Sequence, residues 1–188
     1  MGSLQIAAWI ELGFCWIVWS LAFVKPRKRA AGAKKAESAP ASRWGIILVM
    51  LGFACIWAFI RPVGFEKSTA SLIASMILGP PSVVLVWMAT RHLDKQWRFE
   101  AALSEDHKLI TTGPYRWLRN PIYASMLGML LATGFAKTWR PLLVAGVALF
   151  VIGTEIRVRA EEKLLAARFG EEFARYRAAT PAYLPFLR

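Results

Sequence analysis

Apolar residues gather into five runs along this chain, about Leu4 to Val24, Trp44 to Ile60, Leu72 to Thr90, Pro121 to Ala136 and Pro141 to Thr154. Runs near twenty residues predict membrane-spanning helices, because a hydrocarbon core of about 30 Å takes roughly 20 residues of helix to cross. The last two runs are short for independent spans. The tight link Lys137-Thr138-Trp139-Arg140 between them predicts a short helical hairpin, tilted or partly inserted. Gly79-Pro80-Pro81 falls inside the third run, where two residues lacking an N–H predict a kink or a break. The expected fold is an all-α integral membrane protein with about five transmembrane helices.

The pattern changes after Arg91, where the chain turns polar and aromatic. Leu109-Ile110-Thr111-Thr112 followed by Gly113-Pro114 reads as a short extended piece and a turn. After Thr154 the fifth run passes into an amphipathic C-terminal helix, with Leu164, Leu165, Phe169, Phe173 and Tyr176 at helical spacing. Two regions follow from this: residues 1–90, three N-terminal transmembrane helices with a basic loop at 25–43, and residues 91–188, which carry the chemistry.

The 188 residues are 56% hydrophobic and carry a net charge of +12, with a mean hydropathy of +0.41. That composition excludes the disordered, collagen-like and disulfide-rich classes. Lys and Arg number seven in 25–43, six in 91–119 and seven after Thr154, whereas the other side keeps only Arg61, Lys67, Lys137 and Arg140. Basic residues concentrate in cytoplasmic loops, so the N-terminus is expected outside and the C-terminus in the cytoplasm. The loop 25–43 is read as a topology anchor touching anionic lipid headgroups rather than nucleic acid.

The opening MGSLQIAAW has no Lys or Arg ahead of its apolar stretch, so the first run is expected to be retained rather than cleaved. The lack of organelle signals fits a bacterial inner membrane. Cys15 and Cys55 lie inside apolar runs with no CxxC spacing and are read as buried small hydrophobes. Two histidines and no acidic cluster of ligand spacing indicate no metal site.

Where the fifth run meets polar sequence, Arg157 and Glu161 stand four apart on one helix face, and Glu155 and Arg159 form a second such pair. Exposed pairs of this kind contribute about 0.3–0.5 kcal/mol. Arg157 precedes its glutamate, the weaker order, and sits at a membrane end where ionisable groups are costly unless they function. Both features point to a site.

His107-Lys108-Leu109-Ile110, Gly113-Pro114-Tyr115, Arg119-Asn120-Pro121 and Tyr123, followed by Arg157, Glu161-Glu162, Phe169-Gly170-Glu171-Glu172-Phe173 and Tyr176, occur in this order. The series resembles the isoprenylcysteine carboxyl methyltransferase family and its phospholipid methyltransferase relatives, over roughly the last half of the chain. The resemblance implies an all-helical membrane methyltransferase that uses S-adenosylmethionine and takes a lipidic acceptor from the bilayer. It implies cofactor binding by His107, Lys108, Leu109, Ile110, Gly113, Tyr115, Arg119, Asn120, Pro121, Ile122, Tyr123 and Glu161. Arg157 would face the acceptor, and with Glu161 would form the catalytic pair. No GxGxxG follows any predicted strand, in keeping with a fold that lacks a Rossmann domain. The family usually has His where this chain has Asn120, which cannot ionise, so a proton-transfer role at that position is in doubt.

An acceptor carboxylate is already ionised and needs only a cation to orient it, a task that suits Arg157. A phospholipid amine would need a base, for which Glu162 or His107 would have to serve. The residues thus favour methyl esterification of an isoprenylcysteine-like carboxylate, with phospholipid amine N-methylation as the alternative. An NADPH-dependent isoprenoid or sterol reductase relative and a non-enzymatic membrane scaffold are the remaining readings.

Overall fold

The computed structural model describes residues 2–24, 41–58, 67–93 and 109–183. Among them lie five α-helices and no strand: α1 Ser3–Val24, α2 Ala41–Trp57, α3 Thr69–Leu93, α4 Pro121–Lys137 and α5 Arg140–Ala179, with a 3-10 turn at Gly113–Arg116 before α4. Three of these helices, α1, α3 and α5, are long and apolar enough to cross a membrane. At 1.5 Å per residue, α1 spans roughly 33 Å. Its buried side chains recur every three or four residues as Ala8, Leu12, Cys15, Trp19 and Ala22, while Ile6, Ile10, Phe14, Ile17 and Leu21 are exposed on the other face. A helix apolar on both faces fits burial against protein on one side and lipid on the other.

The third run forms one helix rather than breaking at its prolines: α3 runs unbroken through Pro80 and Pro81. Neighbouring helices hold it there: Gly79 packs against Cys15 of α1, and just after the prolines Ser82 Oγ donates back to the Leu78 carbonyl at 2.7 Å. The fifth apolar run and the amphipathic segment expected after it are one 40-residue helix, α5, interrupted in its backbone angles only at Gly170 (φ 50°). The sequence changes from apolar to polar near Thr154, but nothing there stops a helix.

The helices pack chiefly as α2 on α5, α3 on α4 and α1 on α3. The α2–α5 pair is antiparallel and unusually close. A Cβ on Gly52 would lie 2.7 Å from Gly146 O, and one on Gly45 would lie 2.6 Å from Gly153 O. These two glycine pairs, seven residues apart on each helix, bring backbone against backbone, a contact on which helix association in lipid relies. On the other side of the bundle, Trp19 Nε1 donates to Ser125 Oγ at 2.7 Å, and that hydroxyl donates to Ser82 O at 2.8 Å. Trp16 Nε1 reaches Thr133 Oγ1 at 3.0 Å, and Trp87 Nε1 reaches Val18 O at 3.0 Å. Cys15 is buried and Cys55 partly so, both as free thiols.

Candidate functional site

The polar residues flagged in the sequence converge where the apolar part of α5 ends, opposite the start of α4. Pro121 at the first position of α4 sets the helix direction, as proline does there without losing a needed donor. Tyr123, in the first turn, then points its phenol at α5. Arg157 Nε donates to Tyr123 Oη at 2.6 Å, and Tyr123 Oη donates to Glu161 Oε1 at 2.8 Å. Arg157 Nη2 contacts the same oxygen at 3.3 Å, which closes a triangle of three side chains. The guanidinium also lies 5.8 Å from the centre of the Tyr123 ring.

Arg157 is only 6% exposed. Its Nη1 lies 3.4 Å from the carbonyl of Ser42 in the first turn of α2. A Cβ on Gly45 would come within 2.5 Å of Arg157 Cγ, so the glycine makes room for the arginine's stem. The α2–α5 crossing therefore ends directly on the charged group. Both hydrogen bonds to Glu161 fall on Oε1. Oε2 accepts none among the described residues, and the side chain is 28% exposed. One carboxylate oxygen is thus held and the other remains available to a ligand.

A second cluster begins two residues before α4. Arg119 donates from Nε and Nη2 to Glu162 Oε1 at 3.1 and 2.9 Å. Its Nη1 donates to the carbonyls of Arg177, at 2.8 Å, and of Thr180. Arg177 lies 3.5 Å from the other oxygen of Glu162. The backbone N–H groups of Arg119 and Asn120 donate to Pro181 O and Ala182 O at 2.9 and 3.0 Å, and Asn120 Nδ2 reaches Ala182 O at 3.2 Å. Together these contacts clasp the end of α5 and the segment 180–182 to the residues leading into α4. Tyr183 Oη donates to Glu155 Oε2 at 3.1 Å, and Arg159 holds the other oxygen of Glu155 at 2.8 Å.

The 3-10 turn is tied in separately. Gly113 adopts φ 61°, a left-handed conformation that favours glycine, and the His92 ring packs against it, leaving no room for a Cβ. Tyr115 is buried, and its carbonyl accepts from Tyr176 Oη at 2.6 Å. Burial, only partly opposed by the nearby Arg119 charge, pushes the Tyr176 phenol up to about 12, so it stays a donor at physiological pH.

Of the residues singled out in the sequence, Tyr123, Arg157 and Glu161 form one network. Arg119 and Asn120 belong to the clasp, Pro121 is buried at the head of α4, and Ile122, Leu109 and Ile110 are half-buried. Gly113 and Tyr115 form the turn leading up to α4. His107 and Lys108 lie outside the described residues. Sequence reasoning did not find the pairing of Glu162 with Arg119, nor the approach of Ser42 to Arg157. The first could not be told from the competing choice of Glu161, and the second carries no motif.

The family model for phospholipid methyltransferase matches residues 70–172, more than half the chain. Cobalt-zinc-cadmium resistance protein CzcN of Cupriavidus metallidurans is 37% identical over 84 residues, covering 44% of this chain and 38% of that protein. Protein-S-isoprenylcysteine O-methyltransferase of Xenopus laevis is 32% identical over 87 residues, 45% of this chain and 30% of that protein. The matched stretch spans less than two-fifths of the length of either relative.

Proposed function

Because this chain belongs to the phospholipid methyltransferase family, we propose that it is an S-adenosylmethionine-dependent membrane enzyme that methylates the carboxylate of an isoprenylcysteine-like lipid. The observation that carries the acceptor class is Arg157: a buried, permanently charged fork with its Nε fixed on Tyr123 at 2.6 Å, at the membrane end of α5. A buried guanidinium suits an anionic partner that can match its planar geometry. Lipid entry from the bilayer accords with the apolar outer faces of the helices. The charge distribution along the chain supports a cytoplasmic site, with the N-terminus outside and anionic headgroups beside the loop 25–43.

The residues present fit the cofactor at one checkable point. Glu161 offers an oxygen without a hydrogen bond, on a side chain that is partly open, next to the acceptor arginine. Glu161 would hold the cofactor's cationic or hydroxyl groups, with Gly113, Tyr115 and Tyr123 around it, and the bound cofactor supplies an electrophilic methyl group on sulfur. That methyl group would pass to an oxygen of the acceptor carboxylate, and the cofactor would leave as a neutral thioether. Arg157 holds the carboxylate in line, and the surrounding apolar helices exclude water. No base is needed, because the nucleophile is already ionised.

Amine methylation requires a base, and Glu162 is engaged by Arg119 and Arg177. That engagement counts against an amine activated by Glu162, while His107, the other base named, lies outside the described residues. Labelled-methyl transfer from S-adenosylmethionine into a lipid extract tests the proposal, with Arg157→Ala as the control. A base-labile label lost in the variant supports it. A base-stable label would replace the carboxylate with an amine, and no transfer by the native chain would overturn the proposal.

A further inference from the structure

The crossing of α2 and α5 leaves hydroxyl groups that the network around Arg157 does not use. Ser42 in the first turn of α2 is 5% exposed, and Thr154, three residues before Arg157, is 2% exposed. Among the described residues, neither hydroxyl has a hydrogen-bond partner. Elsewhere in the bundle, buried helical hydroxyls do find partners: Ser82 donates to Leu78 O and Thr133 to Met129 O, each at 2.7 Å. A buried hydroxyl without a partner is destabilising and uncommon in native proteins. Among serine and threonine side chains of the described residues, the one remaining case is Ser75. It lies 17 positions before His92, the α3 residue that meets Gly113, and thus roughly 25 Å along the helix from the site end.

Ser42 is next to the chemistry. Its carbonyl is 3.4 Å from Arg157 Nη1, and Gly45, three residues on, packs against the arginine's stem. A carboxylate presents about four lone-pair positions, and an arginine fork engages two of them. In a site from which water is excluded, the rest need donors. A neutral hydroxyl supplies one without adding charge.

We propose that Ser42 is an acceptor-binding residue, its hydroxyl donating a hydrogen bond to the carboxylate that Arg157 orients, so that α2 completes the acceptor subsite. The assignment rests on the carboxylate-methylation reading above. It gives α2, which lies outside the family-matched residues 70–172, a direct part in choosing the acceptor. Discrimination then depends on the match between a planar anion and two donors from different helices, Arg157 and Ser42.

The test uses the full chain in lipid nanodiscs, S-adenosylmethionine at saturation, and an N-acetylated S-prenyl cysteine with a free carboxylate as acceptor. Ser42→Ala is expected to raise the acceptor KM about tenfold, the equivalent of one hydrogen bond, with kcat within about twofold. Calorimetric affinity for S-adenosylhomocysteine stays unchanged. Ser42→Thr recovers most of the loss, and Ser75→Ala behaves as the native chain. Without substrate, the melting temperature of Ser42→Ala equals or exceeds that of the native chain, since no existing hydrogen bond is removed. A native KM in Ser42→Ala, or a lowered melting temperature with parallel losses in kcat, KM and cofactor affinity, overturns the assignment. If the native chain methylates no such acceptor, the underlying carboxylate reading fails, and the Ser42 assignment fails with it.

Discussion

Replacing Arg119 by alanine isolates the clasp from the site. The arginine is almost wholly buried and makes four hydrogen bonds, two to Glu162 and two to carbonyls at the C-terminal end of α5. Its side chain is 5% exposed and that of Glu162 is 9% exposed. Removing one member of a buried ion pair costs about 3–5 kcal/mol, because the remaining charge loses its compensation while desolvated. Arg177, at 3.5 Å from the other Glu162 oxygen and half exposed, compensates only weakly. The positive charge also lies at a helix C-terminus, where it is favourable.

For a chain of this size, such a loss corresponds to a fall in melting temperature of roughly 6–20 °C, and it concentrates in the end of α5 and the segment 180–182. Hydrogen exchange read by mass spectrometry in detergent should show faster exchange at Arg119, Asn120 and the last turn of α5. Protection of the Trp16, Trp19 and Trp87 region should be retained. Arg119→Lys recovers little, since an ammonium cannot reach Glu162 and two carbonyls in the same fork geometry. Pairing Arg119→Met with Glu162→Leu should recover part of the loss by removing both charges together. A fall below about 1 kcal/mol in Arg119→Ala, or a double variant less stable than either single one, would show that the clasp does not hold the C-terminal segment.

Tyr123→Phe removes the hydroxyl shared by Arg157 and Glu161; kcat/KM in the methyl-transfer assay should fall roughly 10- to 100-fold, with a fall in melting temperature of roughly 2–12 °C because the buried Arg157 Nε loses its acceptor. Glu161→Gln keeps the shape but loses the charge, and calorimetry should show S-adenosylhomocysteine binding at least about tenfold weaker. Gly45→Ala forces a methyl group to within 2.5 Å of Arg157 Cγ and 2.6 Å of Gly153 O, so it should cost about 1–3 kcal/mol and reduce activity. Gly13→Ala, with open space around it, should be neutral or stabilising by up to about 1 kcal/mol in the same thermal melts.

The helices were legible because a membrane demands long apolar runs, and each of the five runs overlaps one of the five α-helices. The length of α5 was less visible. Leaving the bilayer changes which side chains are tolerated but does not require the backbone to stop, so the shift from apolar to amphipathic sequence carries no mark of where α5 ends. Spacing revealed the Arg157–Glu161 pair, since positions four apart share a face. It could not divide the work between Glu161 and Glu162. Adjacent positions point about 100° apart, and only the packing of α4 shows that one turns to Tyr123 and the other to Arg119. The place of Ser42 depends on a contact across 115 residues, which no local pattern encodes.

The tryptophans of α1 bear on how the chain is assembled during synthesis. Trp16 and Trp19 find their partners, Thr133 and Ser125, 117 and 106 residues later. α1 therefore enters the bilayer long before the groups that will fix its rotation exist. Trp87 of α3, whose Nε1 donates to Val18 O, is made before either of those partners. Hydrogen bonds of this kind contribute on average about 0.6 kcal/mol in a bilayer, too little to drive insertion but enough to select among rotations. The partners of α1 thus follow it in the chain as α3 and then α4, whereas α2, made before both, has its main partner in α5, the last helix of the bundle.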